Sequence, residues 1–398
     1  MTADTVGGVW HYAIELAHAL ARHGDAVSLA TMGSVLSAEQ KRQAAEVPGL
    51  TLYSSEYRLM WMDEPWDDVA RAGRWLQALA QDIRPDVVHL NDFAHGAQAW
   101  PAPVLMVAHS CVCSWWQAVH HDAAPSAWNR YRDCVRAGID GADHLVAPTR
   151  AMLNAIVRHY GAPASSQVIS NGRSAAAENA NAVKEPLVLA AGRLWDEAKN
   201  LRMLASVAPR LPWPVCIAGN AHHPDGGEVT LDPDDHGRGE VEPAGAVRAP
   251  SQRAPSQPVH LLGQLSEPDL RRWLAHASIY ALPAHYEPFG LSVLEAAQAG
   301  CALVLGDIPS LREVWGDAAL YVPPDNPDML VFTLCRLIDD AALREAMAAR
   351  ARERAQRYTP KAMGLAYRAA YRNLIAQARA AGAGARSRTA LATAGAVA

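Results

Sequence analysis

No run in this sequence reaches the ~18 apolar residues that a membrane-spanning helix needs, although half of its 398 residues are hydrophobic. A charged-then-apolar leader is missing as well, so the expected location is the cytoplasm. Paired cysteine spacing is also absent. Cys111, Cys113, Cys134, Cys216, Cys301 and Cys335 lie mostly in apolar segments, which suits reduced, buried thiols rather than a disulfide scaffold. Cys111 and Cys113 lack the second pair of a zinc site, so no metal is expected. There is no basic excess: 36 Lys and Arg stand against 41 Asp and Glu, for a net charge of −5. Without a polybasic tract, nucleic acid is not an expected partner. The G-x-G-x-x-G fingerprint of a dinucleotide fold is missing too, which counts against an NAD-dependent enzyme.

What the chain does have is alternation. Apolar, β-branched runs such as AVSLAT (26–31), DVVHLN (86–91), PVLMVAH (103–109), HLVAPT (144–149) and QVISN (167–171) are separated by segments of helical period. A second set follows: PLVLAAG (186–192), PVCIAG (214–219), VHLLG (259–263), IYALP (279–283), ALVLG (302–306) and ALYVP (319–323). Continuously apolar strands interleaved with helices predict α/β architecture with parallel sheets covered on both faces. The polar stretch at 175–185 divides the sets into two doubly wound domains, 1–175 and 186–358, with a cleft expected between them. Residues 359–376 are expected to form a helix returning to the first domain, and 377–398 a disordered tail. The Pro-, Gly- and charge-rich segment 222–258 is expected to be a disordered insertion, with His222 and His223 a solvated pair. Only residues 1–4 precede the glycine turn at Gly7 and Gly8. The first strand is therefore expected to be either truncated, with the natural chain beginning several residues earlier and the glycine turn open to splaying, or natively short.

The stretch HYEPFGLSVLEAAQAG (285–300) sets Glu287 and Glu295 eight residues apart around a proline and a glycine. Pro288 suits the first turn of a helix and Gly300 its left-handed close. The spacing predicts a helix from Pro288, with Glu287 just outside it and Glu295 about two turns in. Eight helical residues turn through roughly 800° and advance ~12 Å, bringing the carboxylates toward one face. Between them lie the free N–H groups and positive dipole end of the helix. Carboxylate, anion hole, carboxylate fits a ligand presenting hydroxyl, diphosphate, hydroxyl. In AAGRLWDEAKNL (190–201), Arg193 and Lys199 place a planar fork and a mobile point charge at the carboxyl end of a strand, a pairing suited to a diphosphate. Taken singly, such cations are common surface residues.

Together these stretches resemble the retaining family 4 glycosyltransferases of the two-domain GT-B type. The resemblance covers roughly residues 1–376 apart from the insertion. Its most specific element is LPAHYEPFGLSVLEA (282–296). It implies that Glu287 holds hydroxyls of the transferred sugar and that Phe289, Gly290 and Leu291 turn backbone N–H groups to the diphosphate. It further implies that Glu295 reads the ribose hydroxyls, whereas its structural alternative is a helix glutamate paired with a nearby Arg or Lys. Arg193 and Lys199 would neutralise the leaving diphosphate without a metal or other cofactor. Gly7 and Gly8 resemble the family's glycine loop. His109 resembles the histidine lining the sugar side, with a structural hydrogen bond as its alternative. One departure is Ser310, which stands where a glutamate usually follows the proline and puts a donor-side contact there in doubt.

Weaker candidates are Asp92, for an acceptor hydroxyl or as a helix cap, and Trp115, for stacking on an acceptor sugar or for packing. Trp61 and Trp66 suit an acceptor-side loop, or a surface for peripheral contact with a partner or the inner membrane face. The implied activity is metal-independent, retaining transfer of a hexose from a nucleoside diphosphate sugar to a hydroxyl of a carbohydrate, a lipid-linked or a small-molecule acceptor. The alternative is a catalytically impaired nucleotide-sugar-binding protein of the same fold.

Overall fold

The computed structural model describes residues 1–175, 182–223, 226, 227, 229, 231 and 259–394, with the backbone alone from 381 onward. The expected insertion at 222–258 falls almost wholly outside these residues. The chain forms two compact units.

The first unit comprises Met1–Ser114, Ala123–Gly172 and Thr359–Ala398. Its strands are β1 (Thr2–Asp4), β2 (Val27–Met32), β3 (Leu50–Ser54), β4 (Val88–Leu90), β5 (Val104–Val107), β6 (His144–Ala147) and β7 (Ser166–Val168). They make two all-parallel sheets, ordered β1-β2-β3 and β4-β5-β6-β7. The short β1 has Thr2 and Ala3 buried and is in register with Ala30 and Thr31 of β2. Side chains, not a ladder, tie β1 to β4. Asn91 Nδ2 donates to the Thr2 carbonyl at 2.6 Å, the Asn91 N–H donates to Thr2 Oγ1 at 2.8 Å, and Thr2 Oγ1 donates to Asp92 Oδ2 at 3.0 Å.

Helix α1 (Gly8–Ala21) buries Trp10, Tyr12, Leu16 and Leu20 in the core of this unit. Met363, Tyr367, Ala370 and Leu374 of the C-terminal helix, Pro360–Ala394, join the same core. Where fraying was expected from Gln377, that helix continues to Ala394. A Cβ on Gly172 would meet the Thr359 carbonyl oxygen at 2.3 Å, so these two segments of the first unit lie backbone to backbone. Gly172→Ala is expected to cost about 1–3 kcal/mol through forced backbone displacement. Equilibrium denaturation checks it, and an unchanged midpoint would show that the crossing yields freely.

The second unit comprises Trp115–Asp122 and Arg173–Tyr358. It holds strands β8 (Glu185–Ala191), β9 (Val215–Ala218), β10 (Val259–Gly263), β11 (Ala277–Leu282), β12 (Ala302–Gly306) and β13 (Leu320–Val322). The order is β10-β9-β8-β11-β12-β13, parallel throughout. This is the doubly wound order 3-2-1-4-5-6, and it reverses direction between β8 and β11. In open α/β sheets that reversal opens a crevice beyond the carboxyl ends of the two strands. Strands β11 and β12 are buried along their whole length, as a sheet covered on both faces requires.

Candidate active site

In the second unit the reversal point gathers most of the residues singled out above. Strand β8 ends at Ala191, and the loop after it carries Arg193, Asp196 and Lys199. Strand β11 ends at Leu282, and the loop after it carries Glu287. Lys199 Nζ meets Glu287 Oε2 at 2.6 Å, with both side chains largely enclosed. The two loops are also stitched by backbone. The N–H of His285 donates to the Ala198 carbonyl at 2.9 Å, and Asn200 Nδ2 donates to the carbonyls of Pro283 and Pro324.

The helix expected from Pro288 starts later. It spans Leu291–Gln298 (α2), and Gly290 caps it at φ +92 in the left-handed region. The reason is local. Glu287 Oε1 accepts the Gly290 N–H at 2.9 Å, closing a turn over residues 287–290 that the left-handed glycine completes at little steric cost. The 800° construction therefore does not apply, because the first residues of the interval are not helical. Gly290 also spends its N–H on Glu287. Among the described residues the N–H groups of Phe289 and Leu291 carry no comparable bond. The Phe289 ring is buried and packs edge-on against Tyr358. Gly300 adopts φ +80 just past the helix.

Arg193 and Lys199 are organised by a residue the sequence reading passed over. Asp196 accepts from Arg193 Nη2 at 2.6 Å, from Trp115 Nε1 at 2.9 Å and from the Ala198 N–H at 3.2 Å. Burial alone would raise its carboxyl, but the charges of Arg193 and Lys199 and the Trp115 hydrogen bond outweigh burial and hold it below the ordinary value. The spacing Arg193, Asp196, Lys199 was the available signal. Trp115 thus fixes Asp196 in addition to any stacking role. Ser310 donates to the Glu287 carbonyl at 2.5 Å, so the residue in place of the usual glutamate steadies the backbone of Glu287.

Glu295 lies on the new helix, where Oε1 accepts from Arg173 Nε at 2.6 Å. The pairing with an arginine, considered as its structural alternative, is present. Oε2 has no partner among the described residues, and the side chain is 20% exposed.

In the first unit the candidates lie just past the ends of β1, β4 and β5. The carboxylate of Asp4 accepts the N–H groups of Val6 and Gly7 at 3.1 and 3.0 Å, which anchors the glycine turn at the end of β1. The expected splaying of that turn is not observed. His109, just past β5, donates from Nε2 to Asn91 Oδ1 at 2.9 Å. Asn91 Nδ2 is already a donor to Thr2, so Oδ1 is the acceptor and the His109 proton sits on Nε2, leaving Nδ1 with its lone pair. Burial pushes His109 down to about 3, so the ring is neutral. Tyr12 packs edge-on against it at 4.5 Å. Asp92 is fully engaged: Oδ2 accepts from Thr2, and Oδ1 accepts from His95 Nδ1 at 2.6 Å and the His95 N–H at 3.2 Å. Trp61 packs against the cluster of Leu59, Met62 and Leu76, and Arg130 covers the Trp66 ring at 4.3 Å. No described helix is long and apolar enough to cross a membrane, and no group of three or more metal-ligating side chains occurs among the described residues.

Residues 6–176 match Glycosyltransferase Family 4, and residues 173–354 match Glycosyl transferases group 1. The glycogen synthase of Mycobacterium tuberculosis is 30% identical over 301 residues, covering 71% of this chain and 68% of that one. The chain belongs to these glycosyltransferases. Matches to curated relatives span from 23% to 92% of their length. In fold, this glycosyltransferase is similar to sucrose-phosphate synthase from Thermosynechococcus elongatus, with a TM-score of 0.73 at 18% identity over 94% of this chain and 95% of that one. It is also similar to Anabaena Alr3699/HepE in complex with UDP and glucose, with a TM-score of 0.66 at 15% identity over 94% and 100%. Its two Rossmann-like units are of the GT-B class.

Proposed function

We propose that this glycosyltransferase moves a hexose, with retention of anomeric configuration, from a nucleoside diphosphate sugar to a hydroxyl acceptor. The observation that carries the reading is the Lys199 to Glu287 contact at 2.6 Å, which joins the loops after β8 and β11 at the reversal of the sheet. Arg193 shares the first of these loops with Lys199, and Glu295 lies on the helix that follows Glu287. Arg193 and Lys199 take the diphosphate as negative charge grows on it, and the N–H groups of Phe289 and Leu291 add donors at the positive end of the helix. These groups supply the charge stabilisation a metal would otherwise give. Glu287 accepts from sugar hydroxyls, and Glu295 Oε2 accepts from the ribose. HepE, similar in fold, is described with UDP and with UDP-glucose, which supports a uridine nucleotide as the first donor to try.

His109 works in this reading as a neutral acceptor. With its proton held on Nε2 by Asn91, Nδ1 can receive a hydrogen bond from a sugar hydroxyl, and a ring that titrates near 3 is a poor base at neutral pH. The proton released by the attacking hydroxyl then goes to the departing diphosphate, whose oxygen lies on the same face of the sugar. Cleavage of the anomeric carbon–oxygen bond and formation of the new one on that face preserve configuration.

The test is thermal stabilisation by UDP, GDP and ADP, with NAD as control. One nucleotide at a hundredfold excess over its Kd is expected to add about 2.7 kcal/mol by mass action. The same donor should release its nucleoside diphosphate in a hydrolysis assay. No shift with any of the three would remove the reading.

A further inference from the structure

Arg173 immediately follows Asn171 and Gly172 and is only 5% exposed. Its guanidinium reaches two carboxylates at once: Nε donates to Glu295 Oε1 at 2.6 Å and Nη2 donates to Glu267 Oε1 at 2.6 Å. Arg271 Nη2 also donates to Oε1 of Glu267. The Arg173 backbone is held independently, because its N–H donates to the Tyr358 carbonyl at 3.2 Å and its carbonyl accepts from Gln298 Nε2 at 2.8 Å. Gln298 lies on the same helix as Glu295, so Arg173 touches that helix through both main chain and side chain. A buried fork with a fixed backbone leaves Glu295 little rotational freedom, and it occupies Oε1 while leaving Oε2 without a partner among the described residues.

We propose that Arg173 is a positioning residue for ribose recognition. It fixes the Glu295 carboxylate in the one orientation that presents Oε2 to the ligand, and so sets the preference for ribonucleotides over their 2′-deoxy counterparts. The proposal rests on the donor-site reading above. Its physical basis is that a carboxylate free to rotate loses conformational entropy when it binds a hydroxyl, whereas a clamped one has lost it already. Arginine suits the task because its planar fork satisfies two carboxylates in fixed geometry, which a lysine ammonium does not.

The experiment compares the affinities of UDP and 2′-deoxy-UDP, or of the GDP or ADP pair if that nucleotide is the one bound, by titration calorimetry. Wild-type protein is expected to prefer the ribonucleotide at least tenfold. Arg173→Met is expected to reduce that ratio to within about threefold of unity, and Arg173→Lys to an intermediate value. In a Glu295→Gln background, Arg173→Met should change the ratio no further. A folded Arg173→Met that is less stable but keeps the wild-type ratio overturns the proposal, since a purely structural role predicts that result. If Arg173→Met does not fold, a wild-type ratio in Arg173→Lys overturns it equally. Equal affinity of the wild type for both sugars removes ribose reading altogether. Absence of binding to any nucleoside diphosphate removes the donor site itself, so the two failures are distinguishable.

Discussion

Glu287→Ala is expected to lower kcat by about 100- to 1000-fold while changing donor affinity little, the range seen when one preorganised electrostatic group is removed from an active site. The structure explains why the effect is so large for one carboxylate. Glu287 Oε2 neutralises Lys199 at 2.6 Å, and Oε1 holds the Gly290 N–H that shapes the turn into the helix. Its loss removes a proposed sugar contact, frees an enclosed ammonium, and loosens the turn that presents the Phe289 and Leu291 N–H groups. Glu287→Gln keeps a hydrogen-bond acceptor at the turn but removes the charge, so it should fall between. Release of nucleoside diphosphate from a panel of UDP, GDP and ADP sugars measures both variants. A variant whose KM rises while kcat stays at the wild-type level would assign Glu287 to uniform binding instead. Glu295→Ala should show the opposite division, weaker nucleotide binding with turnover less affected.

The largest stability effect is expected at Asp92 and His95. His95 is 3% exposed, and its two ring nitrogens face the Asp92 carboxylate at 2.6 Å and the Val69 carbonyl at 3.2 Å. Both partners are acceptors, so both nitrogens must carry protons and the ring is an imidazolium. Burial opposes the charge on His95, and the Asp92 carboxylate overrides it, raising His95 above its ordinary value. Burial likewise would raise Asp92, and His95 with the Thr2 hydrogen bond lowers it instead. Breaking a buried pair by removing one partner costs about 3–5 kcal/mol. Asp92→Asn is expected near the lower figure, because the histidine can shed its proton.

The pH dependence has a definite sign. The raised His95 contributes stability fully present below its unfolded value, lost as pH rises through its folded value. The lowered Asp92 contributes stability present above its unfolded value, lost as pH falls through its folded one. The gap between wild type and Asp92→Asn should therefore be widest in the mildly acidic range, between the unfolded values of a carboxylate and an imidazole, and narrow toward alkaline pH. Denaturant titrations at several pH values give that gap. A constant difference from pH 5 to pH 9 would mean that the pair is not ionised.

Asp92 also shows how the candidate site divided between what sequence could and could not reveal. As a residue at the end of an apolar run it had two equal readings, acceptor contact or cap. Its hydrogen bonds to the His95 N–H and ring, and to Thr2 from a strand ninety residues earlier in the chain, engage both oxygens. Sequence carries no trace of that last partner. Leu50–Ser54 was missed as a strand for a related reason. It is an edge strand with none of its residues buried, so it lacks the continuous apolar run that marked the others. The helix after Glu287 was legible as a helix, but its start was not. Pro288 favours a first turn locally, whereas the Glu287 to Gly290 hydrogen bond and the Ser310 contact decide for a turn.

By itself, the sequence determined the α/β class, the two sets of parallel strands, and the identity of the charged residues at the strand ends. These depend on hydrophobic periodicity and short-range spacing, which are properties of neighbouring residues. Only the tertiary structure decided which of those charges meet. Lys199 finds Glu287 across 88 residues because the reversal between β8 and β11 sets side by side two loops that are remote in sequence, and Arg173, which precedes β8, finds Glu295 across 122. Electrostatic pairing acts over a few ångströms of space, and strand order alone turns sequence separation into that distance.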